Sequence, residues 1–256
     1  MIGANVIDMN RIIVITGGSR GIGAATARLA AAQGDAVVIS YLRRRDAAEA
    51  LVRDITRAGG TALALAADVG IEADVERLFR DVDSAFGRLS ALVNNAGMLE
   101  AQSRVEDMSA ARLGRIFATN VIGSMLCARE AVRRMSRRHG GAGGAIVNVS
   151  SAASRLGSPD EYVDYAASKG AIDTFTIGLA KEVAADGIRV NAVRPGVIRT
   201  DIHAAGGEPD RVNRVKSSVP LQRGGEPDEV ARAILWLLSD DASYTTGALL
   251  DVSGGR

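Results

Sequence analysis

Seven short runs of β-branched and aliphatic residues recur along the chain, separated by longer stretches with apolar residues at helical spacing. This alternation is typical of an α/β protein in which a parallel sheet carries helices on both faces. No proline-rich or serine-rich linker interrupts the pattern, so we predict a single α/β domain over residues 1–256. The runs lie at 11–16, 36–40, 62–68, 91–95, 145–150, 188–193 and 248–252.

The charge balance and the scarcity of metal ligands argue against several classes of function. The chain has 31 basic and 30 acidic residues, a net charge of +1, so nothing indicates a nucleic-acid or membrane partner. With one cysteine, Cys127, and two histidines, His139 and His203, we expect neither an internal disulfide nor a metal site. The N-terminal residues lack a signal-peptide pattern, and no apolar run is long enough to span a membrane. We therefore expect a soluble, cytoplasmic protein.

One polar segment, between residues 199 and 229, departs from the alternation. It holds three of the five prolines. A long insertion in a compact α/β domain is usually functional and is often a lid. We predict a substrate lid around 199–226, in which His203 either contacts the substrate or is simply exposed.

A glycine-rich turn connects the first apolar run to an alanine-rich helical segment. Gly17, Gly21 and Gly23 have no Cβ, so the backbone can turn tightly and let a diphosphate approach the N-terminus of the helix. The spacing differs from the G-x-G-x-x-G of the commonest dinucleotide fingerprint, and a plain strand-to-helix turn would also account for it. Nucleotide binding at this turn is therefore a hypothesis that needs further support.

Small or polar residues follow the other apolar runs, where the strands would end. Ligands of a doubly wound parallel sheet bind along the carboxyl ends of its strands. Each of these residues alone could form a loop, but together they predict one ligand-lined edge. They are Ser40, Asp68, Asn94 to Gly97, the pair Ser150 and Ser151, and Arg194 to Gly196.

Tyr165 and Lys169 are four residues apart in a helical segment, so their side chains share one face of the helix. A nearby ammonium favours the phenolate, which predicts that Lys169 lowers the pKa of Tyr165 from its ordinary value of about 10. Such a phenol can donate a proton to a forming alkoxide, or accept one from an alcohol, near neutral pH. Tyr162 has Ala166 at the equivalent position and is expected to serve in packing or at the pocket rim.

Six motifs occur in a characteristic order: TGGSRGIG at 16–23, NNAG at 94–97, Asn120, Ser150 with Ser151, YAASK at 165–169 and RPG at 194–196. In order and approximate spacing they resemble the short-chain dehydrogenase/reductase family, from about Ile12 to the C-terminus. The resemblance implies a Rossmann fold with a seven-stranded parallel, doubly wound sheet in the order 3-2-1-4-5-6-7. It also implies a nicotinamide cofactor and the interconversion of a carbonyl compound and an alcohol.

The resemblance implies four catalytic residues. Tyr165 would exchange the proton, and Lys169 would also reach the nicotinamide ribose. Both serines of the pair are candidates for holding the substrate oxygen, and the family pattern favours Ser151. Asn120 would bend the long central helix and hold a water that connects the lysine to solvent.

The resemblance also implies the residues that bind the cofactor. NAD enzymes of this fold usually carry an acid after the second strand for the ribose 2′-hydroxyl, but the stretch VVISYLRRR has no acid before Asp46. Arg20 and Arg43, with Arg44 as a third, can bind a 2′-phosphate, so we predict NADP (NADPH) rather than NAD. The predicted set is Gly17, Ser19, Arg20, Gly21, Ile22, Gly23, Tyr41, Arg43, Asp68, Val69, Asn95, Ala96, Gly97, Tyr165, Lys169, Pro195, Gly196, Ile198 and Thr200.

The leading interpretation is an NADP-dependent oxidoreductase that interconverts a ketone, such as a 3-oxoacyl compound, and a secondary alcohol. A sugar or polyol dehydrogenase and a non-catalytic NADP(H)-sensing protein are the alternatives. The complete set of Asn120, Ser151, Tyr165 and Lys169 favours catalysis, since a sensor has no need of an aligned acid. The segment 227–238 and the tail DVSGGR resemble the parts through which the family forms homotetramers.

Overall fold

The computed structural model describes residues 11–256, and its centre is a seven-stranded sheet with every strand parallel to its neighbours. The strand order is β3-β2-β1-β4-β5-β6-β7, so the predicted single-domain, doubly wound Rossmann fold is confirmed. The strands are β1 (Ile12–Ile15), β2 (Ala36–Tyr41), β3 (Thr61–Ala66), β4 (Ala91–Asn94), β5 (Gly144–Val149), β6 (Ile188–Pro195) and β7 (Leu249–Val252).

The central strands are buried on both faces, which explains their continuous apolar runs. In β1, Ile13 and Ile15 point to one face of the sheet and Val14 to the other, and all three are fully buried. Val14 is paired with Val38 of β2 on one side and with Leu92 of β4 on the other. Helices cover both faces of a parallel sheet, so no residue of a central strand needs to face water.

The helices form two layers, one on each face of the sheet. Helices α1, α2 and α10 pack around Ile13 and Ile15, whereas α3, α5 and α7 pack around Val14. None of the helices between residues 11 and 256 is long and apolar enough to cross a membrane. The α-helices are α1 (Gly21–Ala32), α2 (Arg45–Arg57), α3 (Glu72–Phe86), α4 (Ala110–Phe117), α5 (Gly123–Met135), α6 (Ala153–Leu156), α7 (Val163–Val183), α8 (Ile202–Ala205), α9 (Arg211–Val215) and α10 (Pro227–Leu238).

The strand order reverses between β1 and β4, because β1 continues to β2 on one side while β4 lies on the other. The loops that leave these two strands diverge, and the divergence opens a crevice at the carboxyl ends of the strands. A π-helical turn, Ala118–Ile122, joins α4 to α5 beside this crevice. The fold thus gathers the polar strand ends at one edge.

Candidate active site

A cavity of roughly 760 Å³ runs along the carboxyl edge of the sheet. Residues that follow all seven strands line it, including Arg256 after β7, and the sequence predicted this edge from the ends of the first six. Two polar strand-end residues do not line it. Asn94 is buried and donates to Ser124 O and to Asn148 Oδ1, and Arg194 pairs with Asp251.

Nearly all of the predicted cofactor-binding residues line this cavity. Gly23 is the exception and faces the loop after β4 instead. A Cβ at Gly23 would lie 2.5 Å from Asn95 Nδ2. The absence of a side chain there lets α1 pack closely against the loop after β4. The residues in the lining are Gly17, Ser19, Arg20, Gly21, Ile22, Tyr41, Arg43, Asp68, Val69, Asn95, Ala96, Gly97, Tyr165, Lys169, Pro195, Gly196, Ile198 and Thr200.

The glycine-rich turn leaves the N-terminus of α1 open toward the cavity. Gly17 and Gly21 have φ angles of +60° and +54°, which favour glycine. A Cβ at Gly21 would lie 3.1 Å from Thr200 Cγ2 and would narrow the cavity. Arg20 precedes the helix without a side-chain cap. The first N–H groups of α1 therefore remain available for an anion.

Cationic side chains surround one end of the cavity, after β2. The side chain of Arg43 makes no hydrogen bond or ion pair within residues 11–256. Arg20 has only a distant partner, Asp201, at 3.9 Å. Arg44 is paired with Asp46, which does not line the cavity. The residues that follow β2 therefore offer positive charge and no free carboxylate.

Tyr165 and Lys169 meet at the other end of the cavity, in the first half of α7. Lys169 is 4% exposed, and its Nζ donates to Val149 O at 2.7 Å. Burial lowers the pKa of Lys169 to about 8, while the carboxylate of Asp173 opposes this shift. Burial raises the pKa of Tyr165, and the neighbouring Ser151 hydroxyl opposes this shift.

The direction of the Tyr165 pKa corrects the sequence-based expectation that Lys169 lowers it. The ammonium lies over the face of the Tyr165 ring, with Nζ 5.6 Å from the ring centroid. Its hydrogen bond goes to Val149 O and not to the phenol. Burial dominates the pKa of Tyr165, and the phenol is protonated at neutral pH.

The two serines at the end of β5 have different surroundings. Ser150 is buried and donates to Lys169 O at 3.2 Å, so its hydroxyl supports α7. Ser151 is partly exposed in the cavity beside Tyr165. Of the pair, Ser151 is therefore the one with a hydroxyl that can reach a ligand.

Asn120 lies in the π-helical turn and is fully buried, so it does not line the cavity. Its Oδ1 accepts from Met98 N at 2.8 Å, and its Nδ2 donates to Met98 O at 2.9 Å and to Ser168 Oγ at 3.0 Å. Asn120 thus ties the loop after β4 to the start of α7. The predicted bend in the helix coincides with this turn.

The segment 199–226 contains two short helices, α8 and α9, and an ionic cluster links it to the start of α7. Arg211 and Arg214 both pair with Glu161, which lies just before α7, and with Glu208. His203 lines the cavity, and its Nε2 lies 2.8 Å from Ile198 O.

Several cavity residues carry no motif in the sequence. Tyr162 was assigned to packing or the rim, and it does both: it is buried and lines the cavity, and its hydroxyl donates to Gly206 O. The others are Met98, Leu99, Leu156, Pro159, Ile202, Arg211 and Arg256. No local pattern marks these residues, because short helices and loops from separate parts of the chain bring them to the crevice.

The fold and the cavity define an α/β protein built to bind a nucleotide at the carboxyl edge of its sheet. Residues 17–256 match the family model described as Enoyl-(Acyl carrier protein) reductase. The chain is 59% identical over 245 residues to the uncharacterized oxidoreductase YgfF of Escherichia coli, covering 96% of this chain and 99% of that protein. It is 37% identical over 250 residues to a 3-oxoacyl-[acyl-carrier-protein] reductase of Synechocystis sp., covering 96% of both.

A solved structure shares the whole architecture. The short-chain type dehydrogenase/reductase from Mycobacterium marinum superposes with a TM-score of 0.90 at 32% identity, covering 96% of this chain and 95% of that one. The chain belongs to the short-chain dehydrogenase/reductase family of oxidoreductases. Members of this family use nicotinamide dinucleotides as cofactors.

Proposed function

We propose that the protein is an NADP(H)-dependent reductase that converts a ketone into a secondary alcohol, with Tyr165 as the proton donor. One observation supports this proposal above all. Tyr165 and Ser151 lie side by side in a cavity, and Arg20 and Arg43 lie at the other end of the same cavity. One end suits a reacting carbonyl, and the other suits a phosphorylated dinucleotide.

The preference for NADP(H) follows from the charges after β2. A 2′-phosphate needs cations, whereas a ribose 2′-hydroxyl is usually bound by a carboxylate. Arg43 is free to form a planar, bidentate pair with a phosphate. Asp46, the first acid after β2, is already paired with Arg44. The open N-terminus of α1 suits the diphosphate.

In the reduction, the side chains around Tyr165 have separate roles. When bound, the nicotinamide supplies the hydride. Ser151 holds the carbonyl oxygen and stabilises the negative charge that develops on it. Tyr165 donates its proton to that oxygen, and its raised pKa keeps the donor protonated at neutral pH. Lys169 would hold the ribose and keeps a positive charge beside the phenol, while Asn120, through its bond to Ser168, fixes the helix α7 that carries both side chains.

The substrate class follows from the walls of the cavity next to Tyr165. Met98, Leu99, Leu156 and Ile202 are apolar, and Arg211 is a cation that the lid contributes to the same lining. Apolar walls with a few polar groups suit a ketone on a hydrocarbon chain or ring. The Synechocystis relative carries the name 3-oxoacyl-[acyl-carrier-protein] reductase, which supports a 3-oxoacyl compound as one member of the test panel.

The lid, the assembly and the location complete the proposal. The segment 199–226 closes over the substrate, because Ile202, His203 and Arg211 line the cavity and Arg211 pairs with Glu161 just before α7. Trp236 in α10 is 42% exposed and Tyr244 is fully exposed, which supports burial of these two side chains between the subunits of a homotetramer. We place this homotetramer in the cytoplasm. Light scattering tests the assembly, and a monomer would exclude it.

The deciding experiment measures NADPH oxidation with a panel of diketones and 3-oxoacyl thioesters, for the wild type and for Tyr165→Phe. We expect turnover with NADPH in the wild type and a loss of roughly 100-fold or more in kcat for Tyr165→Phe. Equal turnover in both would exclude the mechanism. Tight NADPH binding without turnover would favour a sensor, and preferential oxidation of glucose-like substrates would favour a sugar dehydrogenase.

A further inference from the structure

Asp173 lies one helical turn beyond Lys169 in α7, so Tyr165, Lys169 and Asp173 form one stripe along the helix. The Asp173 side chain is 13% exposed. Its Oδ1 is buried and has no hydrogen-bond partner within residues 11–256. A buried carboxylate oxygen without a partner destabilises a fold unless its charge stabilises another group.

Arg194 neutralises Asp173 only in part. Its Nη1 lies 3.6 Å from Asp173 Oδ2, which is too long for a hydrogen bond. The same guanidinium donates from Nε to Asp251 Oδ1 at 2.8 Å and from Nη2 to Asp251 Oδ2 at 3.3 Å. Because Arg194 is engaged mainly with Asp251, Asp173 retains negative charge that can act on Lys169.

Within residues 11–256, Asp173 is the one carboxylate that acts on Lys169. The end of β5 contributes only Val149 O and the neutral Ser150. The loop after β4 contributes Gly97, where a Cβ would lie 3.5 Å from Nζ and 3.6 Å from the Oδ1 of the neutral Asn120. On α7 the remaining titratable neighbour is Tyr165, which is protonated at neutral pH.

We propose that Asp173 is a positioning residue for the Tyr165–Lys169 pair, because its carboxylate holds Lys169 in the cationic form. The catalytic consequence rests on the proposed function, whereas the charge coupling itself does not. The coupling opposes the burial that lowers the pKa of Lys169 to about 8. Without it, Lys169 loses its proton close to neutral pH, and the positive charge beside Tyr165 disappears.

The small number of lysines makes a direct test practical. The chain has three, Lys169, Lys181 and Lys216, and the last two are exposed. Lysine labelled with ¹³C at Cε gives three signals, which Lys181→Arg and Lys216→Arg assign. Each signal is titrated by NMR in the free protein and with NADP⁺ added.

We expect Asp173→Asn to move the Lys169 midpoint to a lower pH by about one pH unit, while Asp173→Glu keeps it close to the wild-type value. Glu182→Gln, which removes an exposed carboxylate from the same helix, leaves it unchanged. Arg194→Met is the second test. We expect it to raise the Lys169 midpoint, because Arg194 is the cation that competes with Lys169 for Asp173. Identical Lys169 midpoints in the wild type, Asp173→Asn and Arg194→Met would overturn the proposal.

The activity assay adds an independent measurement. In Asp173→Asn the decline of kcat at alkaline pH should begin at a lower pH than in the wild type, and Asp173→Glu should restore the profile. If the pH profile of kcat is the same in Asp173→Asn and the wild type although the Lys169 midpoint shifts, the proposed effect of Asp173 on catalysis is wrong. If the wild type reduces no ketone at all, the proposed function fails, while the NMR midpoints still decide the charge coupling.

Discussion

Lys169 lies over the face of the Tyr165 ring and donates its hydrogen bond to the carbonyl of Val149, with Nζ 5.6 Å from the ring centroid. Burial favours the neutral form of both side chains, since it raises the pKa of Tyr165 and lowers that of Lys169. Tyr165 is therefore protonated at neutral pH, the form in which a phenol can donate a proton.

The first prediction concerns the stability of Lys169→Met. The pKa of Lys169 is about 8 in the folded protein and 10.5 ordinarily, so the unfolded chain binds this proton more tightly. The buried ammonium thus destabilises the fold at neutral pH, by at most about 3 kcal/mol. We expect Lys169→Met to melt at a higher temperature than the wild type at pH 7. Because the wild type regains stability between pH 8 and 10.5, the difference should shrink over that range, as calorimetry can check. A difference that stays constant with pH, or Lys181→Met behaving in the same way, would contradict this account.

The second prediction separates the two serines. Ser151→Ala should reduce kcat by roughly 10- to 100-fold with little change in melting temperature, because the hydroxyl acts on the substrate oxygen. Ser150→Ala should keep most of the kcat but destabilise the protein by about 1 kcal/mol, because the bond to Lys169 O is lost. Steady-state kinetics and thermal unfolding of both variants test the assignment, and the reverse outcome would exchange the two roles.

A third prediction concerns Gly21→Ala, with Gly59→Ala as its matched control. Both glycines have positive φ, +54° and +87°, so each alanine should cost about 1 kcal/mol of stability. Only at Gly21 does the added Cβ approach the far wall of the cavity, whereas Gly59 has nothing within 4 Å. Fluorescence titration with NADPH should show weakened binding for Gly21→Ala alone. Equal affinities would mean that the dinucleotide does not approach this turn.

Arg43→Ala provides a fourth test. Loss of a charge-assisted pair with the 2′-phosphate should weaken NADPH binding by roughly 10- to 100-fold and leave NADH binding unchanged. Arg45→Ala is the control, because Arg45 pairs with Glu49 and does not line the cavity. An equal loss for both nucleotides, or an effect of Arg45→Ala as large as that of Arg43→Ala, would argue against a 2′-phosphate site.

The ionic cluster of the lid gives a fifth prediction. Arg214 and Arg211 lower the pKa of Glu208 to about 2 from its ordinary 4.5, so the ion pairs hold above pH 4.5 and are lost as the pH falls toward 2. Glu208→Gln should raise the KM for the ketone at neutral pH by roughly 3- to 10-fold without changing the affinity for NADPH. Asp210→Asn, in the same segment but outside the cluster, should leave both values unchanged. A change in NADPH affinity alone would place this segment over the cofactor.

The fold was predictable from the sequence because each central strand is buried on both faces and therefore consists of an unbroken run of apolar residues. The residues along the carboxyl edge of the sheet were also predictable, since residues such as Ser40 and Asp68 are small or polar at the point where a strand meets the cavity. Gly17 and Gly21 were informative for a related reason, because their positive φ angles disfavour other residues.

The sequence could not show how side chains on one helix face are oriented. Spacing placed Lys169 beside Tyr165, but only the position of Val149 O explains why the amine lies over the ring. Burial of Asn120 behind Met98 was hidden for the same reason. The pairing of Glu161 with Arg211, 50 residues apart, depends on how the lid folds back, which no local pattern records.

The two hydrogen bonds between the Asn120 amide and the backbone of Met98 have a consequence for selectivity. A single amide both accepts from and donates to the backbone of Met98, so this wall of the cavity is fastened to the π-helical turn at two points. A bulky group that pushes Met98 outward would have to unwind that turn as well. The enzyme would then reject branched molecules on this side through stiffness, whereas the wall formed by the segment 199–226, which ion pairs and the Tyr162–Gly206 hydrogen bond link to the start of α7, would tolerate them.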